Sequence, residues 1–229
     1  MSYDKKGYEY HDKNENIAKV FHQNKRMLIG VLILSIVGSI AFTAYKINKK
    51  SQQEKFSTML HQSMIDQQLG DIEKSKKILK DISESSAAPS GVKSLASMRY
   101  AAILLDDGNK DEAIKIYKNL SKCFNCDSYI KELSGLLMAR TLLTDEKLLN
   151  DEDYLKAIVE IENSAKNLRY HIAEQRGYIE MNKNNLEKAY QIFEMIAKSP
   201  EIKENLKERA NDGMRIVTQK GYKPQIATN

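Results

Sequence analysis

Cys123 and Cys126, in the stretch CFNC, are the only two cysteines of a 229-residue chain, and their spacing fits three chemistries: a redox-active dithiol, half of a zinc site, or a plain disulfide. Zinc is disfavoured. There is no second Cys pair, and the four histidines, His11, His22, His61 and His171, lack any H-x3–5-H spacing. A dithiol of the thioredoxin kind needs a strand–helix–strand setting with its first Cys at a helix N-terminus, where the thiol pKa falls. Here the pair follows the end of a helical pattern in a chain that reads as helix throughout. Acidic clusters such as Asp106-Asp107 and Asp151-Glu152-Asp153 fall at turns and helix starts, where carboxylates cap backbone N–H groups. No Gly-rich phosphate loop, G-x-S-x-G or H-E-x-x-H occurs. The reading is a non-enzyme with no cofactor and no metal.

The elements around these residues repeat. GNKDEAIKIYKNL, from Gly108 to Leu120, recurs as GDIEKSKKILKDI (Gly70–Ile82), NNLEKAYQIFEMI (Asn184–Ile196) and, more weakly, EDYLKAIVEIENS (Glu152–Ser164). Ala113, Ser75, Ala189 and Ala157 occupy one position, and Tyr117, Leu79, Phe193 and Ile161 another one turn later. A small residue is needed where two antiparallel helices cross at about 8–10 Å, and the larger residue fills the space beside it. Each copy has a helix ahead of it. SLASMRYAAILLDDG carries an apolar stripe of Leu95, Met98, Ala101, Ala102 and Leu105, and YHIAEQRGYIEMNKN precedes the last copy. Ala101 lies twelve residues ahead of Ala113, and Gly177 twelve ahead of Ala189. On these paired small positions the chain resembles a tetratricopeptide-repeat protein, without the motif's usual Trp, over a domain placed at 54–220. The irregular repeat spacing is assigned to Ala87–Ser90 and to an acidic loop at Thr144–Asp153 that splits the third hairpin. EIKENLKERANDGMRIV is expected to cap the stack, with a frayed tail at 221–229.

Ahead of the repeats, Met27–Tyr45 runs for 19 residues without a charge, about 28 Å as a helix and close to the thickness of a bilayer core. Lys25 and Arg26 fence one end and Lys46, Lys49 and Lys50 the other, with Tyr45 as an interfacial anchor. Ser39-Ile40-Ala41 offers a small-x-small cleavage site, but the apolar run passes beyond it and follows a polar leader at 1–26, which favours an uncleaved anchor. From Ser51 onward there are 27 basic and 27 acidic residues, so the net charge of +5 resides in the leader and the lysines flanking the apolar run. A neutral domain lacks the basic footprint of nucleic-acid binding, so no such partner is expected. Lysines on both sides of the span leave its orientation tied.

The expected layout is a charged leader at 1–26, a transmembrane helix at 27–45, a linker at 46–53 and an all-α solenoid of helical hairpins at 54–220 with a C-terminal capping helix. IAKVFHQNKRMLIGVLIL (Ile17–Leu34), SLASMRYAAILLDDGNKDEAIKIY (Ser94–Tyr117) and AEQRGYIEMNKNNLEKAYQIFE (Ala173–Glu194) together resemble the YfgM-type ancillary subunits of the bacterial Sec translocon. The Cys pair, the insertion at 144–153 and a Lys-rich rather than acidic domain depart from that family's pattern. The resemblance implies an inner-membrane, single-pass protein with a cytoplasmic N-terminus and a periplasmic repeat domain. Its implied partners are translocon subunits, periplasmic chaperones, exported polypeptides and the lipid bilayer. An oxidising periplasm would also favour a disulfide between Cys123 and Cys126.

First helices of successive hairpins line a surface that holds peptides. The repeat register assigns Gln67, Met98, Leu105, His171, Glu174, Tyr178 and Met181 to that groove, Met and Tyr suiting loose recognition of apolar segments. Met98, Leu105 and Met181 equally fit a core role between hairpins. The leading function is an adaptor beside the Sec channel that hands exported chains to chaperones. The alternatives are a scaffold for another envelope complex, in cell division or secretion, and a thiol oxidoreductase using Cys123 and Cys126.

Overall fold

The computed structural model describes residues 25–224, and all its regular elements are helices. They are α1 (Lys25–Gln68), α2 (Ile72–Glu84), α3 (Ser90–Asp106), α4 (Lys110–Ser121), α5 (Ser128–Leu142), the short α6 (Glu146–Leu149), α7 (Glu152–Ser164), α8 (Arg169–Asn182), α9 (Leu186–Lys198) and α10 (Glu204–Gln219). The chain divides into two compact units, up to Gln52 and from Gln53 onward. The leader up to residue 24 and the tail beyond residue 224 lie outside the described residues.

In the first unit, the side chains described between Met27 and Ile47 are almost all exposed, among them Leu34 at 72% and Phe42 at 59%. Ser35, Ser39 and Thr43 donate their hydroxyls to the carbonyls of Val31, Ser35 and Ser39, at 2.6, 2.7 and 2.8 Å. These three hydroxyls are thus satisfied within the helix. Residues 46–53, expected as a linker, are helical. KINKKSQQ contains no Gly or Pro to stop a helix, and Lys and Gln favour one.

The second unit is a stack of helix pairs, beginning with residues 53–68 of α1 and α2. The next pairs are α3 with α4, α5 with α7, and α8 with α9, and α10 packs on both α8 and α9. Small residues mark every pair: Ser63 and Ser75, Ala101 and Ala113, Gly135 and Ala157, Gly177 and Ala189, all buried. The residues one turn later, Leu79, Tyr117, Ile161 and Phe193, are buried against them. A Cβ built on Gly177 would lie 2.7 Å from the Phe193 ring, one on Gly213 of α10 2.8 Å from it, and one on Gly135 2.6 Å from Ile161. Phe193 is therefore clasped by its own hairpin and by the next helix.

One turn geometry joins three of the pairs. Gly70, Gly108 and Asn184 take positive φ values of 83°, 79° and 61°, and the next residue donates its N–H to a carbonyl five residues back: Asp71 to Asp66, Asn109 to Leu104, Asn185 to Glu180. This satisfies carbonyls orphaned at the helix end and needs a residue that tolerates the left-handed region. Asp71 and Asn109 then cap the following helix through their side chains.

The third pair departs from the expected loop. Asp145 caps the four-residue α6, and Leu148 and Leu149 bury themselves in the main core, so the insertion at 144–153 is anchored. At the junction between α7 and α8, Glu132 of α5, 3% exposed, accepts the N–H groups of Lys166, Asn167 and Leu168 at 3.1, 2.8 and 2.8 Å. Burial pushes the Glu132 carboxyl up, but these N–H donors outweigh it and hold the group below its ordinary range. The capping segment forms α10, whose Leu206, Ala210, Gly213 and Val217 face the stack.

Candidate protein-interaction surface

Aligning the first helices on their small residues sorts the surface into rows. Six residues before the small position stand Ser57, Leu95, Tyr129 and His171. Leu95 is 40% and Tyr129 49% exposed, and His171 is exposed as well. Three before it stand Leu60, Met98, Glu132 and Glu174, and all four are buried. The first row faces solvent at Leu95, Tyr129 and His171, with Ser57 half-buried, and the second row is buried throughout.

That sorting corrects the expected groove. Met98 packs inward rather than lining an open surface. Glu174 is 4% exposed and takes a bidentate pair from Arg209 of α10, at 2.7 and 3.0 Å. A carboxylate so buried is tolerated because a matching guanidinium fork satisfies both oxygens. Glu162 of α7 and Arg176 of α8 form an equivalent pair at 2.5 and 2.8 Å. Leu105 is half-buried against the main core. Met181 and Tyr178 are half-buried against the second cluster, with the Tyr178 ring edge-on to Phe193 at 5.1 Å. Burial, followed by the charge of Glu174, pushes the Tyr178 phenol up. Gln67 and His171 are exposed.

Leu95, Tyr129 and Ala102 are exposed first-helix residues that the expected groove did not include. Leu95 and Ala102 share an apolar stripe with core residues, yet both are exposed. Tyr129 is readable only once Gly135 is recognised as the third hairpin's small residue. The insertion sets Gly135 22 residues ahead of Ala157 instead of twelve.

Cys123 and Cys126 are joined as a disulfide that closes the turn between α4 and α5, with their Cα atoms 5.4 Å apart. Asp107 pairs with Lys76 of the preceding hairpin, and Asp151 caps α7 by accepting the N–H groups of Asp153 and Tyr154. Among the described residues no group of three or more His, Cys, Asp or Glu side chains is placed to hold a metal ion.

Residues 19–207 match the tetratricopeptide repeat-like domain family, a match that covers most of the chain and all four hairpins. The chain belongs to that family. No curated protein and no solved structure matches it. As a tetratricopeptide repeat-like domain it is a helical scaffold for protein–protein contacts. One helix among the described residues, in the stretch Ile29–Gln68, is long and apolar enough to cross a membrane.

Proposed function

We propose that this protein is a membrane-tethered adaptor of the YfgM type, holding polypeptides beside the Sec channel and passing them to periplasmic chaperones. In this reading residues 1–26 are cytoplasmic, 27–45 span the inner membrane, and 54–220 form the periplasmic repeat domain. The observation that carries it is a tetratricopeptide repeat-like domain following a helix whose apolar side chains are exposed and whose hydroxyls are satisfied internally. The bridge between Cys123 and Cys126 suits an oxidising compartment. Leu95, Tyr129 and His171, with Gln67 and the half-buried Leu105, Tyr178 and Met181 beside them, supply the contact surface. Tethering raises the effective concentration near the channel to about the millimolar range, so weak contacts to varied clients suffice. Alkaline extraction of membranes, followed by protease treatment of spheroplasts, tests the topology. The protein should stay in the membrane and lose its repeat domain to external protease. Release by alkali, or protection of the repeat domain in intact spheroplasts, would sink the proposal.

A further inference from the structure

The second helices of the first two hairpins enclose, with α3 and the CFNC turn, a pocket of roughly 660 Å3. Leu95, Tyr129 and His171 do not line it. Ala88, Ile116, Leu120 and the Cys123–Cys126 bridge provide its apolar lining. Three charged groups join them: Glu84, Glu112 and Lys93.

The charges are unevenly matched. Lys93 directs its ammonium to the Ser85 carbonyl at 3.1 Å. Glu112 accepts from two neutral donors, the Tyr100 hydroxyl at 3.3 Å and the Asn109 amide at 2.9 Å, and none of the ion pairs found among the described residues includes it. Glu84 meets Lys80 only at 3.9 Å on an exposed surface. Glu112 thus adjoins the apolar hollow with no ion pair among the described residues, Glu84 has only a long, exposed one, and the Lys93 ammonium of the lining is taken up by the Ser85 carbonyl. A group that is apolar at its tip and cationic beside it would complement both features.

Phe124 adds a second observation. Its sequence neighbours Cys123 and Asn125 line the pocket, yet its own ring is 92% exposed. An exposed aromatic ring on a covalently closed turn loses little conformational freedom when covered, and such anchors dominate protein interfaces.

We infer that this pocket, with Phe124 beside it, binds a polypeptide segment carrying a bulky apolar side chain next to a Lys or Arg. The apolar side chain enters against Ile116 and Leu120, the cation faces Glu112 and Glu84, and Phe124 packs on the segment outside the pocket. A small cationic molecule would fill the hollow but leave Phe124 uncovered, whereas a polypeptide reaches both. The site lies apart from the first-helix row, so either can fail without the other.

The test uses the full chain in neutral-lipid nanodiscs, with empty nanodiscs as the blank. The probe is a fluorescent twelve-residue Gly/Ser peptide containing Arg-Leu-Phe-Arg, read by fluorescence anisotropy. Its controls replace both Arg by Glu, or Leu-Phe by Ser-Ser. Both controls should bind at least about tenfold more weakly, and Glu112→Gln and Phe124→Ser should each weaken the parent peptide about five- to tenfold. Tyr129→Ala with His171→Ala should leave it unchanged. Glu112→Gln alters one half-exposed carboxylate, and circular dichroism confirms that each variant is folded. Equal binding of the Glu peptide, or wild-type affinity in both Glu112→Gln and Phe124→Ser, overturns the inference. So does a dimer by light scattering that Phe124→Ser abolishes, since a second copy would then occupy the pocket.

Discussion

Ser75 occupies the small position that Ala113, Ala157 and Ala189 fill in the other hairpins, and its hydroxyl has no hydrogen-bond partner among the described residues although the residue is fully buried. Its counterpart on α1, Ser63, donates to the Leu60 carbonyl at 2.7 Å and lacks that defect. Burying an unpaired hydroxyl costs about 1–3 kcal/mol, and Ala also favours helix over Ser. Ser75→Ala should therefore stabilise the domain by about 1–2 kcal/mol. For a domain of this size that is a rise of several degrees in Tm, measurable by thermal denaturation. A fall in Tm would mean that the hydroxyl has a partner. At the same scale, a charged residue misled the reading of the groove. The repeat register assigns Glu174 to the groove, but Arg209, which neutralises it and allows its burial, lies 35 residues further along the chain.

At the scale of elements, helix crossings decide which glycines are required. Gly177 lies within α8, where Ala would improve helix propensity by about 1 kcal/mol. The Phe193 ring lies where the new methyl would go, and that contact reverses the sign. Gly177→Ala should destabilise the domain by about 1–3 kcal/mol, and in a Phe193→Leu background most of that cost should disappear. Equal costs in both backgrounds, by urea denaturation, would show that the two residues do not compete for space. The hairpins were legible in the sequence because small residues at a fixed offset reflect this steric demand directly. Gly135 was not legible, because α6 stretches the offset in the third pair, and a short helix that buries Leu148 and Leu149 has no periodicity of its own. Residues 46–53, expected as a linker, continue the helix because Lys and Gln sustain one.

For the molecule as a whole, the repeat architecture rests on the family match and on four hairpins with one packing rule, joined in three cases by one turn. The contact surface was only partly legible. Periodicity finds the apolar stripe of a first helix but does not separate the row that meets the next repeat from the row that meets solvent. Met98 and Leu95 share one stripe and have opposite fates. The central claim is that a membrane-tethered stack meets polypeptides through the solvent-facing row. The most direct test replaces Leu95, Tyr129 or His171, one at a time, by a photoreactive amino acid in the full-length protein in cells. Lys115 and Glu187, exposed on the second helices α4 and α9, serve as controls. The claim predicts crosslinks to translocon subunits, chaperones and many exported chains from the three first-helix positions, and few from the controls. Equal crosslinking from both sets, or a single stoichiometric envelope complex without the translocon, would contradict it.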